Sequence, residues 1–145
     1  MIVVDASVLA PALGDDGTDG DRARDRLLDD PSLHGPQLVD LEVMSVFRRR
    51  LAAGDMDERR AGLAIRDLEE LQLIRYPHLA FAPRIWSLRR NLTPYDAAYV
   101  ALAELLGAIL VTADIRLGGA PGLRCKVEVL ARRIQPQMRS PPPIE

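Results

Sequence analysis

Four carboxylates in this chain stand where they could do chemistry together: Asp5, Glu42, Asp96 and Asp114. Asp5 follows directly on the apolar run Ile2-Val3-Val4. Asp114 comes just past a second such run, Ile109-Leu110-Val111, with Thr112 between. Glu42 falls at the edge of an apolar arc made by Val39, Val43, Val46 and Phe47, where an unpaired charge is costly. Asp96 closes the stretch "TPYD" at the start of a helix. Each acid also has an ordinary reading. Asp5 is placed to cap a helix beginning near Ala6, and Asp114 to cap one in "IRLGG". Glu42 can bend out to water or pair with Arg49, and Asp96 fits the third helical position of a capping box. Taken as a set, the four imply more. Carboxylates brought together raise one another's pKa, and a bound divalent cation relieves the repulsion. Hard oxygen ligands, without a His or Cys set, select Mg²⁺ or Mn²⁺ rather than zinc. Such an ion suits phosphoryl chemistry. Ser7 and Thr112 add hydroxyls able to orient a carboxylate or a water. His34 and His78 stand in no metal or triad spacing and read as surface or internally satisfied histidines.

A site of this kind needs elements that carry residues 5, 42, 96 and 114 to one place. Residues 2–4 are short, continuous and β-branched, as for a strand buried on both faces. "ASVLAPAL" reads as a short helix, the Gly/Asp-rich "GDDGTDG" as a loop, and "DRARDRLLDD" as a helix stopped by Pro31. The next helix is expected to start near Pro36 and run to Gly54, carrying Glu42. Another spans "DERRAGLAIRDLEELQ", capped by Asp55 or Asp57. "LIRY" is a weak strand ended by Pro77, and "LAFAPRIWSLRRN" is expected to be helical. "TPYDAAYVALAELLG" has the clearest helix punctuation, with Thr93 as cap, Pro94 in the first helical position and Gly107 after the last turn. "AILVT" and "CKVEVL" supply two further strands. Strands spaced by helices argue for a parallel α/β sheet with helices on both faces. Ligands bind such sheets at the carboxyl ends of the strands, which is where Asp5 and Asp114 fall.

The bulk properties narrow the field. At 145 residues, 48% hydrophobic and 28% charged, the chain fits one soluble globular domain. The expected division is a domain over residues 1–133 and a Pro-rich, disordered tail over 134–145. A net charge of −2 exerts no overall pull on nucleic acid, so phosphate affinity must be local. The basic residues are nearly all arginine, Lys126 being the only lysine, which reads as coding bias. Cys125 stands alone, which excludes an internal disulfide and fits a reducing, cytoplasmic setting. The N-terminus lacks the basic region of a signal peptide, and no apolar run is long enough to cross a membrane.

With these four acids in this order, the sequence resembles the PIN-domain nucleases, and most of all the VapC toxins of bacterial toxin–antitoxin pairs. The resemblance is carried by "VVDASVLAPAL", "PQLVDLEVMSVFRRRLAAGDM", "LTPYDAAYVALAELLGAILVTADIRL" and the closing "VEVL". The "YDAAYVALAELLGAILVTAD" segment is its most specific part. The resemblance implies a three-layer α/β/α sandwich around a small parallel sheet, and an endoribonuclease dependent on Mg²⁺ or Mn²⁺. It places the family's acids on Asp5, Glu42, Asp96 and Asp114, and its supporting hydroxyls on Ser7 and Thr112. It further implies a homodimer held inactive by a VapB-type antitoxin. One departure is Ser45, where many relatives carry Asn. Contact with RNA phosphate would fall to local arginines: the 48–50 run, Arg89-Arg90 and, nearest Asp114 in sequence, Arg116. Tyr95 and Tyr99, at helical spacing, read as packing residues. Two rival classes are a non-catalytic PIN-like module that binds RNA or protein, and a phospho-accepting signalling domain. The full set of acids weighs against the first. The second needs an acidic pair after the first strand, where Asp5 stands alone.

Overall fold

The computed structural model describes residues 1–131, and the Pro-rich tail expected over 134–145 lies outside them. The strands are β1 (Ile2–Val4), β2 (Leu33–Pro36), β3 (Leu73–Tyr76), β4 (Ile109–Thr112) and β5 (Val127–Val129). All pair in parallel in one sheet of order β3-β2-β1-β4-β5. The helices are α1 (Ala6–Gly14), α2 (Thr18–Leu28), α3 (Leu38–Ala52), α4 (Glu58–Glu70), α5 (Ala82–Ser87), α6 (Pro94–Leu106) and α7 (Ile115–Gly118). The chain builds outward from β1 to β2 and β3, then returns across β1 to β4. Right-handed crossovers put the helices of these two excursions on opposite faces. The packing agrees: α1 touches α2, α3 and α4, whereas α6 packs with α5 and lies against β1, β2 and β4. The result is the expected three-layer α/β/α sandwich.

Burial follows from this layering. Ile2, Val3 and Val4 in the central strand are all buried, as are Leu110 and Val111 beside them. A strand covered on both faces has no polar side, which is why these runs do not alternate. On α6 every residue from Ala97 to Ala103 is buried. Four of those seven are alanine, which lets the helix sit close to the sheet. Its ends are as expected: the Thr93 hydroxyl accepts from the Asp96 amide at 3.2 Å, and Gly107 takes the left-handed conformation at φ 61°.

Three local expectations are corrected. The stretch Leu33–Pro36 is a strand, and the helix carrying Glu42 starts after it, at Leu38. "LHGP" has no β-branched residue and contains Gly and Pro, so its composition opposes a strand. It is one because the sheet has a slot between β1 and β3, with Leu33 opposite both Ile2 and Leu73. His34 is buried there, its ring nitrogens bonded to the Tyr76 hydroxyl at 2.8 Å and the Ser32 hydroxyl at 3.0 Å. The helix expected over "LAFAPRIWSLRRN" divides into a 3₁₀ turn, His78–Phe81, and the short α5, because Pro83 can sit only in a helix's opening turn. Finally, α2 begins at Thr18 and takes in part of the Gly/Asp loop. A side chain at Gly20 would meet the Asp15 carbonyl oxygen at 1.9 Å, so glycine is what allows α2 to turn back against the end of α1.

Candidate active site

The strand order reverses at β1, with β2 on one side and β4 on the other. The crevice past the carboxyl ends of β1 and β4 is therefore the switch point where open α/β sheets take their ligands. Asp5 stands at the end of β1. Thr112 ends β4, with Asp114 two residues on. Glu42 is in the second turn of α3, which leaves the sheet after β2, and Asp96 is in the first turn of α6 on the opposite layer.

Asp5 is only 7% exposed, and its side chain does not cap α1. Its Oδ2 accepts from the Ser7 hydroxyl at 2.8 Å and from the Thr112 hydroxyl at 2.7 Å. Those hydroxyls are themselves fixed. Ser7 Oγ accepts from the Ala113 amide at 2.9 Å, and Thr112 Oγ1 from the Asp114 amide at 3.1 Å. Both bonds to the carboxylate thus fall on one oxygen, which sets the direction of the other. Thr112 spends its donor on Asp5 and its acceptor on the chain leading to Asp114, so one side chain ties two of the acids together.

Glu42 neither reaches Arg49 nor bends freely into water. Its Oε1 accepts from the Tyr99 hydroxyl at 2.7 Å. Burial pushes the Glu42 carboxyl above the usual range, and the charges of Asp5 and Asp96 push it further, with Tyr99 opposing. Asp96 is raised as well, first by burial and then by Asp5 and Asp114, against the Thr93 hydrogen bond and the Arg116 charge. Among those causes are the charges of the other acids, which lie at the same end of the sheet. Tyr99 is fully buried, and its hydroxyl is pushed far up by burial, then by Asp5 and Glu42; the Ala6 amide works the other way.

Asp114 differs. It caps α7 through the Arg116 amide at 2.9 Å and holds the Arg116 guanidinium on both oxygens, at 3.2 and 3.0 Å. The Arg116 hydrogen bond brings its carboxyl below the usual range. The cap expected of Asp114 is thus present, together with an ion pair.

Asp96, Asp114 and Arg116 line a cleft of about 500 Å³ with Arg90, Asn91 and Thr93. Three other arginines proposed from sequence lie elsewhere. Arg49 and Arg50 line a separate polar recess with Asp15 and Asp55, and Arg89 stacks over the exposed Trp86 ring at 4.9 Å. Ser45 is exposed on α3. Tyr99 is the residue whose polar role the spacing alone did not show. The available signal was a tyrosine inside an otherwise apolar helix face, since a buried phenol needs a hydrogen-bond partner.

As the side chains stand, no three His, Cys, Asp or Glu groups among the described residues are gathered into a cage for an ion. The donor chemistry nevertheless fits a hard divalent cation. The acids present only oxygen, Glu42 and Asp96 are raised by burial and then by neighbouring charge, and Asp5 and Glu42 are bonded to hydroxyls rather than to a side-chain cation.

Fold and acidic crevice together define a PIN domain, and the PIN-domain family model matches residues 2–122. Ribonuclease VapC9 of Mycobacterium tuberculosis is 44% identical over 135 residues, covering 91% of this chain and 100% of the relative. The chain belongs to the VapC ribonuclease family of PIN-domain proteins. Two solved structures share the fold. The sarcin–ricin-loop-cleaving toxin VapC20 of M. tuberculosis superposes with a TM-score of 0.66 at 17% identity, over 85% of this chain and 96% of that one. The DNA-bound VapBC of Salmonella typhimurium does so with a TM-score of 0.62 at 18% identity, over 89% and 98%. No helix among the described residues is long and apolar enough to cross a membrane.

Proposed function

We propose that this protein is the ribonuclease toxin of a toxin–antitoxin pair, cutting cytoplasmic RNA with the help of Mg²⁺ or Mn²⁺ held by Asp5, Glu42, Asp96 and Asp114. The observation that supports the reading is the arrangement at the switch point: Thr112 donates to Asp5 and accepts from the Asp114 amide, while Asp96 and Asp114 line one cleft. When bound, such an ion neutralises phosphate charge and activates water for attack on the phosphodiester.

The chain's own residues do the rest. Ser7 and Thr112 fix Asp5 by bonding one of its oxygens, leaving the other without a side-chain donor from either. Asp96 places a carboxylate on the cleft wall, where α6 has its positive end. Arg116 and Arg90 put positive charge on the same wall, suited to an RNA phosphate. Arg116 is 89% exposed and so can leave Asp114 for a phosphate without disturbing the core. A VapB-type antitoxin and a homodimer complete the reading. The family relationship supports the antitoxin, and covering this cleft would block the enzyme.

The test is direct. Purified protein is given single-stranded and structured RNAs with Mg²⁺ or Mn²⁺, with and without EDTA. Cleavage that requires the metal, and that Asp5→Ala removes, is the expected outcome. Cleavage indifferent to chelator or to Asp5→Ala would refute the assignment.

A further inference from the structure

Glu42 and Asp5 come from different elements, and nothing in the backbone links them. Glu42 is bonded to Tyr99, on α6, from the opposite helical layer. Its ring is wholly buried. Its hydroxyl donates to Glu42 Oε1 at 2.7 Å and faces the Ala6 amide, the residue after Asp5. Tyr99 also lies three residues after Asp96, so one face of α6 carries both a site acid and, a turn deeper, this phenol. Glutamate has three rotatable bonds, and at the rim of α3 most of its rotamers point to water. A rigid donor rooted in the core selects one of them.

We infer that Tyr99 is a positioning residue: its hydroxyl holds the Glu42 carboxylate toward Asp5 and Asp96, so that the acids are prearranged for a divalent cation. This rests on the metal-site reading above and adds a residue to it. The principle is general, since partners that orient a metal-binding carboxylate govern affinity almost as strongly as the ligands do. The hydroxyl donates to one oxygen only, so Oε2 would be left for a cation. A phenylalanine would pack as well but would release the carboxylate.

The experiment compares the parent with Tyr99→Phe, Glu42→Gln and the double variant. Binding of Mn²⁺ is read from the electron paramagnetic resonance signal of the free ion, without RNA and independent of turnover. Tyr99→Phe is expected to weaken Mn²⁺ binding by about 10- to 100-fold. In the Glu42→Gln background the same change is expected to add little, because the group it acts through is gone. Melting in EDTA is expected to shift by no more than a few degrees. Equal Mn²⁺ affinity in parent and Tyr99→Phe would overturn the inference while leaving the metal site standing. So would the same loss with and without Glu42, or a Tyr99→Phe protein that melts far below the parent, since the hydroxyl would then serve the fold. A parent that does not bind Mn²⁺ at all would instead remove the metal-site reading, and this inference with it.

Discussion

The acids of the crevice and the acids of the surface are the same residue types treated in opposite ways. Away from the crevice, several partly buried carboxylates are matched with arginine. Asp30 accepts from Arg26 at 2.6 Å and from the N-terminal ammonium at 2.8 Å, Asp40 from Arg75 at 2.7 Å, and Glu104 from two nitrogens of Arg84 at 2.7 and 3.0 Å. Glu104 is pushed up by burial, but Arg84 and the Arg124 amide outweigh this and bring it below its ordinary value. Asp30 is lowered by Arg26 and the N-terminus. At the crevice, Asp5 and Glu42 are given hydroxyls, and Glu42 and Asp96 are raised. A hydroxyl orients a carboxylate without cancelling its charge. These structural acids are therefore neutralised internally, whereas Asp5 and Glu42 keep their charge beside neutral donors. Asp114 lies between the two treatments, paired with an arginine that is itself mostly in water.

The largest expected effect tests which group does chemistry. Asp5→Ala should lower cleavage at least about a thousandfold, roughly 4 kcal/mol of barrier, whereas Glu104→Gln should leave the rate per folded molecule unchanged. Single-turnover cleavage of one RNA by both variants decides it; similar losses would erase the distinction between the two sets of acids.

Metal linkage comes next. Mg²⁺ at a hundredfold excess over its dissociation constant should stabilise the parent by about 2.7 kcal/mol. Asp5→Asn keeps the shape but lacks a charge, so its melting temperature should respond much less. Thermal melts across a Mg²⁺ series check this, and equal shifts would mean that Asp5 is not part of a shared site.

Glu104→Gln should cost about 2 kcal/mol at neutral pH, because it strands part of the Arg84 guanidinium, with some loss recovered by water. The pH dependence has a definite sign. The folded-state pKa of Glu104 is lowered, so its stabilisation is present above the ordinary glutamate value and is lost as pH falls through the folded value. Parent and variant should converge in acid, as measured by urea melts from neutral pH downward.

The smallest effect should have the opposite sign. In EDTA, Glu42→Gln should match or slightly exceed the parent, by up to about 1 kcal/mol. The folded-state pKa of Glu42 is raised, so its penalty is full above that value and vanishes below the ordinary glutamate range. The gain should therefore fade as pH falls. A clear destabilisation at neutral pH would place Glu42 with the structural acids.

Much of this was legible in the sequence because it is local. The apolar, largely β-branched runs at 2–4 and 109–112 read as buried strands, and "TPYD…G" marks both ends of α6 through caps that act within one turn. The acids were noticed because each breaks an apolar pattern. What the sequence could not determine was everything set by distant partners. The strand at Leu33–Pro36 exists against its own propensity because two neighbouring strands supply its hydrogen bonds. Asp5 had every local mark of a helix cap, yet its carboxylate belongs to Ser7 and to Thr112, 107 residues away. Glu42 had Arg49 in reach along its own helix and bonds instead to Tyr99, across the sheet from another layer. Propensity and capping are short-range energies written into adjacent residues. The pairing of a buried polar group is decided by whichever donor the finished packing brings within about 3 Å, and that is known only once the layers have closed.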